Sequence, residues 1–247
     1  MRMLLLHARY QLLETARIPI AMVGNLVFPA LIMLFFVVPQ SQVGGDPVAA
    51  TAAAGQLSLF AVINVCLYTF GAGIAEDRAQ PWDAYVRTLP VGAGPRFGGR
   101  LLTGLFFCLL GLIPVIVVAA LFTSAQASPA QILAGVAVVL GCGVPFLLMG
   151  LAVGYHFSVK ASLVVVQLLV FPMAFVGGLF MPPEIFPSWL DTASHAVPTR
   201  AGRDLVVNAL TGGPVDGTAL LVLLGWTAVL AVLAVVAFRR DEGRRFR

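Results

Sequence analysis

The chain has 247 residues, of which 60% are hydrophobic and only 11% charged, and its mean hydropathy is +0.96. Soluble domains carry about a quarter charged residues, so a soluble globule is excluded. The net charge of +4 does not require a nucleic acid to balance it, because the basic residues follow the alternation expected of a membrane topology.

Residues 2–17 can form a helix with His7, Gln11 and Glu14 on one face and Leu5, Leu12 and Ala16 on another, Arg9 snorkelling from the apolar side. An interfacial helix on the membrane surface fits this pattern; a frayed polar leader is the alternative. Met3–Leu6 is interrupted by His7 and Arg9 and is too short for the apolar core of a secretory leader.

Beyond it the charge-free runs are Ile18–Gly45, Pro47–Ala75, Leu101–Val159, Ala161–Pro183 and Gly217–Phe238. A spanning helix needs roughly 20 apolar residues, and the run from Leu101 holds two. The sequence therefore predicts an all-α membrane protein of six spans: Ile18–Val38, Gln56–Ala75, Leu101–Phe122, Ile132–Tyr155, Ala161–Phe180 and Thr218–Phe238. Pro29, Pro114, Pro145 and Pro172 lie inside them, which spanning helices tolerate where neighbours satisfy the backbone. Cys66, Cys108 and Cys142 fall in three different spans and show neither metal nor disulfide spacing; they read as small buried apolar residues.

Basic residues set the orientation. The N-terminus has Arg2, Arg9 and Arg17; the second loop has Arg78, Arg87, Arg96 and Arg100; the fourth has Lys160; the tail has Arg239, Arg240, Arg244, Arg245 and Arg247. These are 13 of the 15, and the alternate loops hold only Arg200 and Arg203. Both termini are thus expected to be cytoplasmic. The first outer loop, Pro39–Gly55, reads as a short flexible connector with a single Asp46, and the stretch Thr123–Gln131 is shorter still. The last outer loop, residues 181–216, is different. Pro187 can open a short helix, Pro198 can end it, and Gly212 can cap a second helix running through Leu210. Trp189, Leu190, Leu205 and Val206 give these helices apolar surface.

Residues 76–100 form a charged insert between spans. Glu76, Asp77 and Arg78 stand where the second span leaves the membrane. Pro81 can start a helix in which Trp82, Tyr85, Val86 and Leu89 share one face, and Pro90 stops it. Two readings stand on the residues alone: an amphipathic knob for a soluble partner, or an ordinary loop with Trp82 and Tyr85 as interfacial anchors.

Ionisable groups inside spans are costly and usually functional, and none lies well inside a span here. His7, His156 and His195 sit outside or at the edges, with no acid at catalytic spacing. The residues therefore predict no catalytic site, no metal site and no proton-coupled transport. The candidate substrate path is neutral: Asn64 and Tyr68 one turn apart in the second span, and Gln167, Phe171 and Phe175 on one face of the fifth. Lining of a route for a hydrophobic or amphipathic molecule, and plain helix packing through Asn and Gln, are both open for each residue.

The whole chain, 1–247 as a single domain, resembles the permease subunits of ABC-2-type ABC transporters. Glu76-Asp77-Arg78 and Leu89-Pro90-Val91 look like the family's charged run after the second span and the end of its coupling helix. Gly178-Leu179-Phe180-Met181-Pro182, Pro187-Ser188-Trp189-Leu190 and Pro198 look like its outer segment. Gln80-Pro81 and Thr199-Arg200 depart from the usual pattern at the start of the coupling helix and of the second outer helix. The resemblance implies an N-terminal elbow helix at 2–17, a coupling segment in which Glu76, Asp77, Arg78, Trp82, Tyr85, Leu89 and Pro90 meet an ABC ATPase, and a second permease copy or sister permease. No G-x-x-x-x-G-K-[ST] phosphate loop is present. On this resemblance ATP and Mg belong to the partner ATPase, the chain binds no cofactor of its own and is not an enzyme by itself, and its surroundings are membrane lipids. Fourteen Arg against one Lys suggests a GC-rich bacterial genome, and small permeases of that kind resemble drug and antibiotic exporters of the cytoplasmic membrane. A membrane anchor or sensor that recruits a cytosolic protein through the same loop is the alternative.

Overall fold

The computed structural model describes residues 19–81 and 93–245, with Leu6, Arg9, Tyr10 and Leu13 before them; the side chains of 19–25, 93–97 and 242–245 fall outside that description. Every regular element among the described residues is helical. Helix α1 (Pro19–Ile32) passes into a π turn, Met33–Val37. A short helix α2 (Ser41–Gly44) follows. Helix α3 (Pro47–Ala79) is continuous, with a π turn at Tyr68–Ala72. Then come α4 (Ala93–Phe122), α5 (Pro129–His156) and α6 (Val159–Val176). A 3-10 turn at Pro183–Ile185 leads to α7 (Ser188–Ser194), α8 (Pro198–Thr211) and α9 (Gly217–Arg245). Five of these are long and apolar enough to cross a membrane: Pro47–Ala79, Gly98–Phe122, Pro129–His156, Val159–Val176 and Gly217–Asp241. The first expected span is helical over Pro19–Val37, of which Leu26–Val37 forms a shorter apolar helix. The expected elbow helix at 2–17 lies almost wholly outside the described residues.

Several helices run further than hydropathy alone indicates, for local reasons. The connector expected at Pro39–Gly55 is largely helical, because Asp46 accepts from Ala49 N at 2.7 Å and Pro47 occupies the first turn, where its missing N–H costs nothing. Ser128 and Gln131 form a reciprocal capping box that starts α5 before Ile132. The last helix continues past Phe238 to Arg245. At its start Asp216 accepts from Thr218 and Ala219. The Thr218 hydroxyl is the main cause holding the Asp216 carboxyl below the usual carboxylate range. Pro198 does not end α7, which stops at Ser194; it opens α8, again as a first-turn proline. Gly212 caps α8 in the left-handed region, φ 76°.

Helix α3 is the mast of the bundle. Of its most apolar stretch 72% is buried, against 33% and 39% for α4 and α5 and 22% each for α6 and α9. Around it pack α1, α4, α5, α8 and, through the π turn, α6, while α9 lies along α5. Leu59, Phe60, Ile63 and Leu67 of α3 form the core with Phe146 of α5, Val166 of α6 and Val206 of α8. Lipid tails are as apolar as these side chains, so association rests on fit rather than on escape from water. The closest fit is at the π turn. Gly150 and Gly154, one helical turn apart on α5, face it: a Cβ on Gly154 would lie 2.6 Å from Phe70 O and 2.7 Å from Gly71 O, and one on Gly150 would lie 2.8 Å from Cys66 O. A spacing of small, three residues, small is the pattern that lets helix backbones touch.

Substituting Gly154→Leu is therefore expected to lower the unfolding temperature of the purified protein, by an overpacking cost of roughly 1–3 kcal/mol. Gly141→Leu on the same helix meets nothing within 4 Å and should leave that temperature unchanged. Equal shifts in the two variants would refute the close-contact account.

Candidate functional site

The ends of α3, α5 and α9 and the start of α4 gather at one end of the bundle, and their charged residues are tied together. Arg78 at the end of α3 pairs with Asp241 of α9; its Nε lies 3.0 Å from Asp241 Oδ1. The same guanidinium donates from Nη1 to Gly154 O at 2.6 Å and Phe157 O at 3.2 Å, two carbonyls at the end of α5. It also lies 6.0 Å from the Tyr155 ring centre, and Tyr155 meets Phe238 edge-on at 5.1 Å. The Asp241 side chain is only 3% exposed, so the pair is one whose break strands a charge. Next to it, Asp77 pairs with Arg100 of α4, whose Nη2 donates to Thr69 O at 3.0 Å within the π turn. A π turn leaves carbonyls without their usual intrahelical donor, and Arg100 supplies one.

The expected coupling residues thus divide. Asp77 and Arg78 are held in ion pairs that cross-brace three helices, while Glu76 is exposed. Beside them a shallow cleft of about 470 Å³ runs between Ala75, Arg78 and Ala79 of α3 and residues His156 to Lys160 of the α5–α6 turn. Trp82, Tyr85, Leu89 and Pro90 lie outside the described residues. The partners Arg100 and Asp241 were not singled out from the sequence. Asp241 comes into reach because α9 continues beyond its apolar run, which ends less than one turn earlier at Phe238, and the acidic residue inside the basic tail was the available signal.

Of the five path candidates, four lie along one seam between α3 and α6. Tyr68 Oη donates to Gln167 Oε1 at 2.5 Å, across 99 residues of sequence. Phe171 sits 6.3 Å from Phe28 of α1, edge-on, and 6.4 Å from Phe60. Phe180 links Phe60 at 4.7 Å to Phe175 at 4.9 Å. Phe28 and Phe175 are exposed, so this aromatic string reaches the surface of the chain. Asn64 is placed differently: it is buried, and its Nδ2 donates to Phe60 O of its own helix at 2.8 Å.

The opposite end carries the two arginines that broke the charge alternation. Arg200 Nη1 lies 3.0 Å from Asp191 and its Nε 2.8 Å from Asp204; Arg203 reaches Asp204 at 2.8 Å and Glu184 at 3.9 Å. Burial works against the Arg200 charge, and the bonds to Asp204 and Asp191 outweigh it, so its affinity for the proton is raised. Both cations are thus paired with acids of this same outer segment. Helix α8 turns Ala201, Gly202, Leu205 and Val206 inward, and Thr199 Oγ1 donates to Met173 O at 2.7 Å, docking its start on the end of α6. Trp226 Nε1 holds the α7–α8 turn through Ala196 O at 2.8 Å. Trp189 is 70% exposed. Among the described residues no cluster of His, Cys, Asp and Glu could hold a metal.

Removing one member of the Arg78–Asp241 pair should destabilise strongly. Asp241→Ala is expected to cost about 3 kcal/mol, and a double change of Arg78→Met with Asp241→Leu should cost markedly less than the two single changes summed. Additive losses in a thermal double-mutant cycle would remove the pair from the account.

The model of the family described as ABC-2 type transporter matches residues 4–211, most of the chain and all the helices from α1 to α8. Among curated proteins, "Putative transport permease YvfS" of Bacillus subtilis (strain 168) is 20% identical over 187 residues, which are 75% of this chain and 76% of that one. The chain is a multi-pass membrane protein belonging to the ABC-2 type transporter family.

Proposed function

We propose that the chain is the transmembrane half of an ATP-driven exporter in a bacterial cytoplasmic membrane, moving a hydrophobic or amphipathic substrate. A separate ATPase binds ATP and Mg and docks at the end that carries Glu76, and a second permease, identical or sister, completes the pathway. Six spans with both termini on the ATPase side accord with 13 of 15 basic residues falling on that side.

The observation that carries the reading is helix α3. It runs unbroken from Pro47 to Ala79, is braced at its end by Arg78 and Asp77, and leads directly into the Trp82–Leu89 segment. A push on that segment is delivered to a rigid rod whose other faces hold Tyr68 and Phe60. The Tyr68–Gln167 pair and the exposed phenylalanines beside it suit an apolar passenger with few hydrogen-bonding groups. Sugar polymers would need many hydroxyl partners. An anchor or sensor would use the same docking end and would need no such seam.

The test is co-purification with an ABC ATPase encoded beside the chain, followed by ATP turnover of the complex in lipid. A stable complex with turnover that depends on the permease is the expected result. Glu76→Ala and Trp82→Ala should each abolish most of the stimulation while the permease still expresses, and normal coupling in both would sink the lever assignment. A folded ATPase that forms no complex would replace the exporter by the anchor.

A further inference from the structure

We infer that the gap between α4 and α5 is a binding site for a membrane-dissolved aliphatic molecule bearing a single hydroxyl or carbonyl oxygen. It is separate from the Tyr68–Gln167 seam. Helices α4 and α5 are consecutive, joined only by residues 123–128, yet they barely touch each other. Between them lies a half-open cavity of about 250 Å³, with α3 as its back wall. That is just below the range for ligand pockets, roughly 300–1,000 Å³, and holds one slender molecule.

The chemistry of the walls selects the occupant. Ala54 of α3, Ala119 and Ala120 of α4 and Val136 of α5 make the cavity smooth and apolar, and exposed Ile116 and Ile132 flank its open side, which faces lipid. At the loop end it is closed: Thr51 Oγ1 donates to Gln126 O at 3.1 Å and accepts from Gln126 N at 3.0 Å. Thr51 is thereby satisfied. Ser58, two turns deeper on the same face of α3, is not. Its residue is 8% exposed and it lines the cavity. Buried helical hydroxyls normally turn back to a carbonyl of their own helix, as Thr103 does to Gly99 O at 3.0 Å and Ser162 to Val159 O at 2.8 Å. Among the described residues Ser58 is the one buried residue whose hydroxyl makes no hydrogen bond within the chain.

The Ser58 hydroxyl opens onto an apolar cavity without a protein partner, and one oxygen on whatever fills the space would satisfy it. A charged headgroup has no counter-charge there, since no ionisable side chain lines the cavity. A water-soluble ligand has no route, because the loop end is latched. An aliphatic alcohol, ketone or ester entering from the bilayer meets both constraints. Phe60 points the other way on α3, toward Phe28 and Phe171, so occupancy here and passage along the seam are separate events on two faces of one helix.

The experiment is photolabelling of the purified protein in phospholipid nanodiscs with a diazirine-bearing 1-dodecanol, read by peptide mass spectrometry and competed with plain 1-dodecanol. Saturable label confined to residues 51–58, 112–120 and 132–139 is expected, over a background of excess nanodisc lipid. Ser58→Ala should weaken apparent affinity about fivefold, the scale of one net hydrogen bond. Ala54→Leu, which fills the space, should remove the label while elution and unfolding temperature stay native; Ala120→Phe provides the same block from α4. Label that does not saturate and spreads evenly over lipid-facing helices would overturn the site. So would label that persists in a natively eluting Ala54→Leu or an unchanged affinity in Ser58→Ala. ATP-coupled transport plays no part in the readout, so failure here leaves the exporter reading standing, and the reverse.

Discussion

The contact between two glycines of α5 and the π turn of α3 fixes the remainder of the bundle. Without a hydrophobic drive between helices in lipid, registry must come from shape, and Gly150 and Gly154 give α5 an approach to the Phe70–Gly71 backbone that no larger residue permits. Everything of chemical interest is then a matter of position along α3. At the start of the same turn Tyr68 reaches Gln167; two turns after the contact Arg78 reaches Asp241 and the carbonyls that end α5. The same backbone irregularity exposes Thr69 O, and Arg100 answers it, so α4 is drawn into the registry by a polar bond where α5 is held by a steric one.

Charge is handled by one rule at both ends. Helix termini in a membrane protein leave carbonyls and cations that must find partners, and four arginines have each found an acid: Arg78 with Asp241, Arg100 with Asp77, Arg200 with Asp191 and Asp204, Arg203 with Asp204. Among the described residues Glu76 takes no part in that network and stands exposed at a braced helix end. Bracing of this kind turns a helix terminus into a surface that can transmit load.

Much of the architecture was legible in the residues, because apolar length is a strong signal and loops of Arg are another. The end of α8 came from its Gly212 cap, and five of the six expected spans came from apolar length. The helix extensions did not, since Asp46 and Ser128 act through caps that hydropathy does not weigh. Pro198 was read as a stop when it serves as a start, a reversal that single prolines allow because both sites dispense with the N–H. Asn64 stands one turn before Tyr68 as the spacing indicates, and the bond from its amide to Phe60 O of its own helix is one that no sequence pattern specifies. Arg78–Asp241 spans 163 residues and no local pattern could announce it. The unpaired Ser58 is equally invisible in sequence, where it is one serine among many.

A π turn holds one residue more than an α turn would need to cover the same rise. The stretch Tyr68–Ala72 is therefore a stored insertion in α3. Removing one residue there, by deletion in evolution or by sliding of the helix, would restore a plain α-helix and rotate everything beyond it by about 100°. Arg78 would swing off Asp241, Glu76 would take a new bearing, and the part of α3 before the turn would stay where it is. The ion pairs at the end of α3 are thus tied to a count of residues as well as to their identity, and a chain one residue shorter at this point would have to brace that end with different side chains.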